Sequence, residues 1–195
     1  MTGSSRLPTR AVISAQEARR VLEAAERLYS DVEVSVAVAR LAREISAQLA
    51  DAFPLVLCVM RGSVVFAGQL LPQLKFPLEL GYLDLTRYGE KIRGGEISWN
   101  AAPGPEVAGR VVLVLDDILD EGQTLAAIRD KLLSLEAGLV VTAVFCEKDT
   151  GQPKAIGADF TGLKVPDRYV FGFGMDVRGA WRNLPEIYAL KEELE

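Results

Sequence analysis

Val111-Val-Leu-Val-Leu-Asp-Asp-Ile-Leu-Asp-Glu-Gly-Gln-Thr-Leu125 decides how this chain folds. Five apolar residues, Val111 to Leu115, form a short unbroken run of the kind buried on both faces of a parallel sheet. Four acids follow within six residues (Asp116, Asp117, Asp120 and Glu121), and then a Gly-Gln-Thr turn in which Gly122 permits a tight backbone approach. Leu125, Ile128, Leu132 and Leu135 recur at three- and four-residue intervals, which predicts a helix from near Thr124. The stretch reads as a buried strand that empties into a loop and a helix N-terminus. The carboxyl end of such a strand is where open α/β sheets bind ligands, and the free N–H groups of a helix's first turn can hold a phosphate.

Acids this close repel one another unless a cation or a hydrogen-bond donor meets them. Magnesium takes carboxylate oxygen together with substrate phosphates, and sugar hydroxyls donate well to an ionised acid. One loop of this kind can hold metal, ribose and phosphate together.

The chain has 195 residues, 49% of them hydrophobic, enough for one core with a small appendage. A net charge of −5 and a pI near 5.0 argue against a broad nucleic-acid footprint and point to a small substrate. Cys58 and Cys146 both sit inside apolar runs, so buried reduced thiols and a cytoplasmic setting are expected. No apolar stretch reaches the ~18 residues of a membrane span, and Met1 to Ile13 lacks the apolar core of a signal peptide. Neither membrane insertion nor export is expected. The absence of histidine removes Ser-His-Asp and Cys-His catalysis and His-bound zinc, which leaves a carboxylate as the natural general base.

Outward from the central stretch, Ser14-Ala-Gln-Glu17 is a capping box, and Val21, Leu22, Ala25 and Leu28 extend a first helix to about Tyr29. Val38, Leu41, Ala42, Ile45 and Leu49 mark a second helix before Phe53-Pro54. Leu55 to Met60 is an apolar strand, and Phe66, Leu70 and Leu74 continue as a helix. A strand near Leu78 to Leu85 leads to Thr86–Gly95, a polar connection that reads as a mobile flap. Leu139 to Glu147 and Tyr169 to Phe173 are further strand candidates. This alternation predicts an α/β fold, a parallel central sheet with helices on both faces. One domain spanning 1–195 is expected, with its core over about 35–160 and a small hood lobe from about 1–34 and 161–195.

Val112 to Leu125 resembles the phosphoribosyl pyrophosphate (PRPP) signature of the type I phosphoribosyltransferases, which are Rossmann-like. Separate segments from about Leu55 to Leu184 are similar, in order, to the hypoxanthine-guanine branch of that family. The resemblance implies transfer of a phosphoribosyl group from PRPP to a purine, with magnesium as cofactor, giving IMP or GMP and pyrophosphate in salvage. Asp120 would be the general base at purine N7. Asp116 and Asp117 would meet the ribose hydroxyls and magnesium, and Glu121, Gly122, Gln123 and Thr124 the 5′-phosphate. The commoner pattern has threonine or serine at Glu121, so that carboxylate is expected to point outward.

Met60-Arg61-Gly62 is similar to the family's pyrophosphate loop, which often carries a cis peptide before its basic residue; Arg61 stands where many relatives have lysine. Lys148 would donate to the exocyclic O6, Tyr169 would stack on the ring, and Val170 would offer backbone contacts. Asp176 would lie near a second magnesium and the 2-position. Arg182 would hold pyrophosphate, and Arg87 and Tyr88 would belong to the flap. A homodimer or homotetramer is implied, with the segment around Arg61 near the subunit contact. Two other readings stand beside this one: a different base, xanthine above all, or a PRPP-sensing regulator that binds nucleic acid.

Overall fold

Two serines start the helices of the N-terminal part. Ser14 and Ser30 each accept a hydrogen bond from the backbone N–H three residues on, at 3.2 Å from Glu17 and 3.3 Å from Glu33. Both glutamates accept in return from the serine N–H, completing capping boxes for α1 (Ala15–Ala24) and α2 (Asp31–Leu49). The computed structural model describes residues 13–87 and 97–191. The first helix is shorter than its pattern predicts. Ala25 is extended (φ −76°, ψ 158°), and Glu26–Tyr29 forms strand β1 instead. The cause is non-local: β1 pairs antiparallel with β9 (Ile187–Ala189), and that pairing overrides the helical spacing of Leu28.

The chain then runs through β2 (Leu55–Met60), α3 (Val64–Leu70), β3 (Glu79–Arg87), β4 (Ile97–Ala101), β5 (Val111–Leu119), α4 (Gln123–Ser134), β6 (Leu139–Asp149), β7 (Phe160–Pro166) and β8 (Val170–Phe171). Pro72 turns the end of α3 into a 3₁₀ segment, Leu71–Gln73, so the helix stops short of Leu74. The main sheet has the order β4-β3-β2-β5-β6-β7; β4 is antiparallel to β3, and the other neighbours are parallel.

The apolar run of β5 is unbroken because both its faces are covered. Leu113 and Leu115 pack with Val56, Cys58 and Phe145 under α2 and α3, whereas Val112 and Val114 pack with Leu57, Val59 and Val144 under α4. Each large aliphatic side chain so buried stabilises the fold by roughly 1.5–3 kcal/mol. From β2 the chain goes outward to β3 and β4 and returns on the other side of β2 as β5. The strand order therefore reverses between β2 and β5, and a crevice opens beyond their carboxyl ends.

A second, three-stranded sheet, β1-β9-β8, forms the small lobe with α1. Phe171, Val177 and Leu190 are its buried centre, with Val21, Leu22 and Trp181 packed around them. The Trp181 indole N–H donates to the Ala18 carbonyl at 2.7 Å. The tail expected to join this lobe from residue 161 divides differently, because β7 is an outer strand of the main sheet and only the part of the tail beyond Pro166 adds strands to β1 in the small one.

Candidate active site

A cleft of about 520 Å³ fills the crevice. Arg61, Gly62, Asp116, Asp117, Asp120, Glu121, Gly122, Gln123, Thr124, Lys148, Tyr169, Val170, Asp176 and Arg182 all line it. Of the expected flap, Arg87 ends β3, and Tyr88 lies outside the described residues.

The loop after β5 is shaped by Gly122, whose φ of 81° is left-handed and whose N-cap position carries no side-chain cap. A Cβ there would also come within 2.8 Å of the Ile156 carbonyl oxygen. Both constraints demand glycine, and they deliver the first amides of α4 to the cleft beside Gln123 and Thr124. Glu121 is exposed, and its carbonyl accepts from Ala155 N–H at 2.9 Å. Gly122→Ala is expected to cost about 2 kcal/mol or more in backbone strain and displacement. Thermal denaturation should read a Tm fall of roughly 4–8 °C.

Asp116 is buried, 8% exposed, and one of its oxygens accepts from Asp117 N–H at 2.9 Å. Burial pushes Asp116 well above the ordinary carboxylate range, and the neighbouring Asp117 charge adds to the rise. Asp117 is raised too, by burial, against the opposing hydrogen bond of Asp116 and the Arg182 guanidinium. Among the described residues neither forms an ion pair, and Arg182, which acts on Asp117 electrostatically, is itself paired with Asp176.

Asp120 is half exposed, one residue past β5, and Lys148 reaches it from β6 with Nζ 3.1 Å from Oδ2. An acceptor and a donor thus stand side by side at the cleft. From the far wall, Tyr169 offers an exposed ring whose hydroxyl donates to the Asp176 carbonyl at 3.1 Å. Arg182 donates to the Gly174 carbonyl at 2.6 Å and pairs with the Asp176 carboxylate, whose other oxygen accepts from Gly179 N–H at 2.6 Å. Phe173 anchors this wall to the core through Phe145, ring centroids 4.3 Å apart.

The Met60–Arg61 peptide is cis, as the resemblance implies. A Cβ on Gly62 would fall on the Asp117 carboxylate, and one on Gly174 would fall on the Gly62 carbonyl. Glycine at both places lets the loop after β2, the acid pair and the far wall come together.

This chain matches the phosphoribosyl transferase domain model over residues 24–178. It is 32% identical over 165 residues to the hypoxanthine-guanine phosphoribosyltransferase of Bacillus subtilis, covering 84% of this chain and 92% of that one. The chain belongs to the hypoxanthine-guanine phosphoribosyltransferase family. It is accordingly an enzyme of phosphoribosyl transfer to a purine base. Among solved structures, a hypoxanthine-guanine-xanthine phosphoribosyltransferase is similar at 31% identity and a TM-score of 0.72, covering 87% of this chain and 96% of that one. A hypoxanthine phosphoribosyltransferase from Staphylococcus aureus is similar at 26% identity and a TM-score of 0.81, covering 87% and 92%.

Within this phosphoribosyltransferase framework, the residues that pattern reading missed include Ile118, Met175, Leu85 and Thr86, which line the cleft, and Lys154 behind it. Ile118 is visible only as a spacer between acids, and Met175 only as one more apolar residue of the base-binding segment. The two cysteines play no part: burial raises both thiols, Cys58 to about 11, so neither is a thiolate at neutral pH.

The family is generally magnesium-dependent, and the donor set fits such an ion in one place. Two close carboxylates with no ion-pair partner among the described residues offer hard oxygen donors in the cleft beside the N-terminus of α4. Among the described residues no three acids gather around one point, in keeping with the separate place expected for Asp176. Its carboxylate is engaged with Arg182 and Gly179.

Proposed function

We propose that this protein transfers the 5-phosphoribosyl group of PRPP to N9 of a 6-oxopurine, hypoxanthine or guanine, releasing pyrophosphate and forming IMP or GMP in purine salvage. The Asp120–Lys148 pair carries this reading. A 6-oxopurine with a proton on N7 presents a donor and an acceptor on one edge, and the pair answers with an acceptor and a donor. Asp120 takes the N7 proton as N9 bonds to C1′, while the C1′–oxygen bond breaks and its electrons leave with pyrophosphate. Lys148 donates to O6 and rejects adenine, whose amino group would face an ammonium that accepts nothing.

The amides of Gln123 and Thr124 and the Thr124 hydroxyl hold the 5′-phosphate, and Asp116 and Asp117 take the ribose hydroxyls. Arg61 and Arg182 hold pyrophosphate, for which a planar fork of donors is suited. Magnesium, when bound at Asp116 and Asp117, neutralises charge on the leaving pyrophosphate. Tyr169 stacks on the base, with Val170 and Asp176 at its 2-position side. Arg87 and Tyr88 belong to a flap that keeps water from the cationic sugar.

The buried reduced thiols fit a cytoplasmic location, and among the described residues no helix is long and apolar enough to cross a membrane. Exposed Val64, Leu80 and Tyr82 favour self-association as a homodimer or homotetramer. Xanthine is the second reading, favoured by the likeness to an enzyme named for all three bases.

Steady-state kinetics against a panel of nucleobases with PRPP and magnesium tests the proposal. Hypoxanthine and guanine should turn over, and adenine should not. Lys148→Met should lower kcat/KM for hypoxanthine by about 10- to 100-fold, the worth of one charge-assisted hydrogen bond, and narrow the gap to adenine. No product from any 6-oxopurine would end the reading.

A further inference from the structure

The pairing of β5 with β6 ends at Leu119 and Glu147. Asp120 and Lys148 are the next residue on each strand, so the two groups that would read the purine edge stand one step beyond the last rung of the ladder. Lys148 is still paired with Val165 of β7, but no rung of the β5–β6 ladder sets its spacing from Asp120. Lys154 Nζ donates to the Asp120 carbonyl at 2.5 Å and to the Lys148 carbonyl at 2.7 Å. One ammonium, with three donors and no acceptor, thus spans both backbones beyond the end of the β5–β6 pairing.

The neighbours of Lys154 reinforce the link. Ala155 N–H donates to the Glu121 carbonyl at 2.9 Å, and the Ile156 carbonyl closes against Gly122. The segment 154–156 therefore backs the loop from Asp120 to Gly122 without lining the cleft itself.

We propose that Lys154 is a positioning residue: its ammonium extends the β5–β6 ladder by one rung and sets the distance between Asp120 and Lys148, and with it recognition of the N7–O6 edge of the base. This rests on the oxopurine reading. Lys154 touches no substrate and acts through the two backbones it holds. Its side chain borders a separate cleft of about 400 Å³ that also includes Gln152 and Lys164, so removing it leaves a space that a small amine can enter from solvent.

The experiment measures kcat and KM for hypoxanthine and for PRPP in wild-type protein, Lys154→Met, Lys154→Arg and Lys154→Ala. Lys154→Met should lower kcat/KM for hypoxanthine by about 10- to 100-fold, the scale of an ångström-sized misplacement. Its kcat/KM for PRPP should fall far less, because the phosphate amides keep their own support. Lys154→Arg should recover most of the loss, and ethylammonium should restore Lys154→Ala where tetramethylammonium, which has no N–H, does not.

Wild-type kinetics for the base in Lys154→Met would overturn the inference, as would equal losses for base and PRPP with a lowered Tm and no amine rescue. A wild-type protein that uses no 6-oxopurine fails the functional reading itself. A wild-type enzyme that is active beside an unaffected variant fails only this inference.

Discussion

Asp120→Asn is expected to lower kcat by about 10²- to 10⁴-fold, the range lost when a positioned general base is removed. KM for PRPP should stay within about threefold, because the proposal assigns the phosphate to the amides of the next turn rather than to this carboxylate. The substitution keeps the size and the acceptor oxygen of the side chain but not its capacity to take a proton. Asp120 is half exposed, so the ion pair it forms with Lys148 contributes little to folding, and the Tm should hardly move. Kinetics and thermal denaturation of the same preparation separate the two effects. Turnover within about threefold of wild type would discard Asp120 as the proton acceptor.

Asp116→Asn is expected to do two opposite things, raising the stability of the protein alone while lowering phosphoribosyl transfer by at least about 10²-fold. The folded chain holds Asp116 with its affinity for protons raised, because burial and the adjacent Asp117 both penalise the charge. Below the unfolded carboxylate value of ~3.9 both states are protonated and the site costs nothing. As pH rises from there through the raised folded value, the unfolded chain sheds its proton more readily, and stability falls. Neutral pH lies on the unfavourable side. Asparagine cannot ionise, and its amide oxygen can still accept from Asp117 N–H, so the variant should lose part of this slope and melt higher at neutral pH, by roughly 2–4 °C for each kcal/mol relieved.

Magnesium with PRPP should invert the order, because a ligand that binds only the folded state stabilises the wild type in proportion to its affinity. Melting curves across pH, with and without magnesium and PRPP, provide the check. A variant that melts lower than wild type at neutral pH without ligand would show that the acid pair is not under electrostatic stress.

The strand and loop from Val111 to Leu125 were legible in the sequence for a physical reason: a strand covered on both faces must be continuously apolar, and a loop that meets phosphate and sugar must change abruptly to acids and glycine. Seven residues singled out in that stretch line one cleft, together with Arg61, Gly62, Lys148, Tyr169, Val170, Asp176 and Arg182, which were singled out by the family resemblance. Glu26–Tyr29 was misread, since Leu28 suits either a helix or a strand, and the partner that decides between them is more than 150 residues away, at Ile187–Ala189. β7 and β4 escaped notice as outer strands, whose half-covered faces leave mixed patterns. Lys154 was beyond sequence reading altogether, because its acceptors are backbone carbonyls, which every residue carries. The pairing of Asp176 with Arg182 likewise needed coordinates, since spacing along a chain says nothing about which carboxylate an arginine will claim.

The antiparallel seam between β1 and β9 ties the beginning of the described chain to its end. Contacts so distant in sequence are the slowest to form, because closing the intervening loop costs entropy before any pairing repays it. The main sheet, made of neighbouring segments, is therefore expected to form before the β1–β9 seam of the small lobe closes. The small lobe is thus the later part to close, and with it the side of the cleft that carries Tyr169, Asp176 and Arg182.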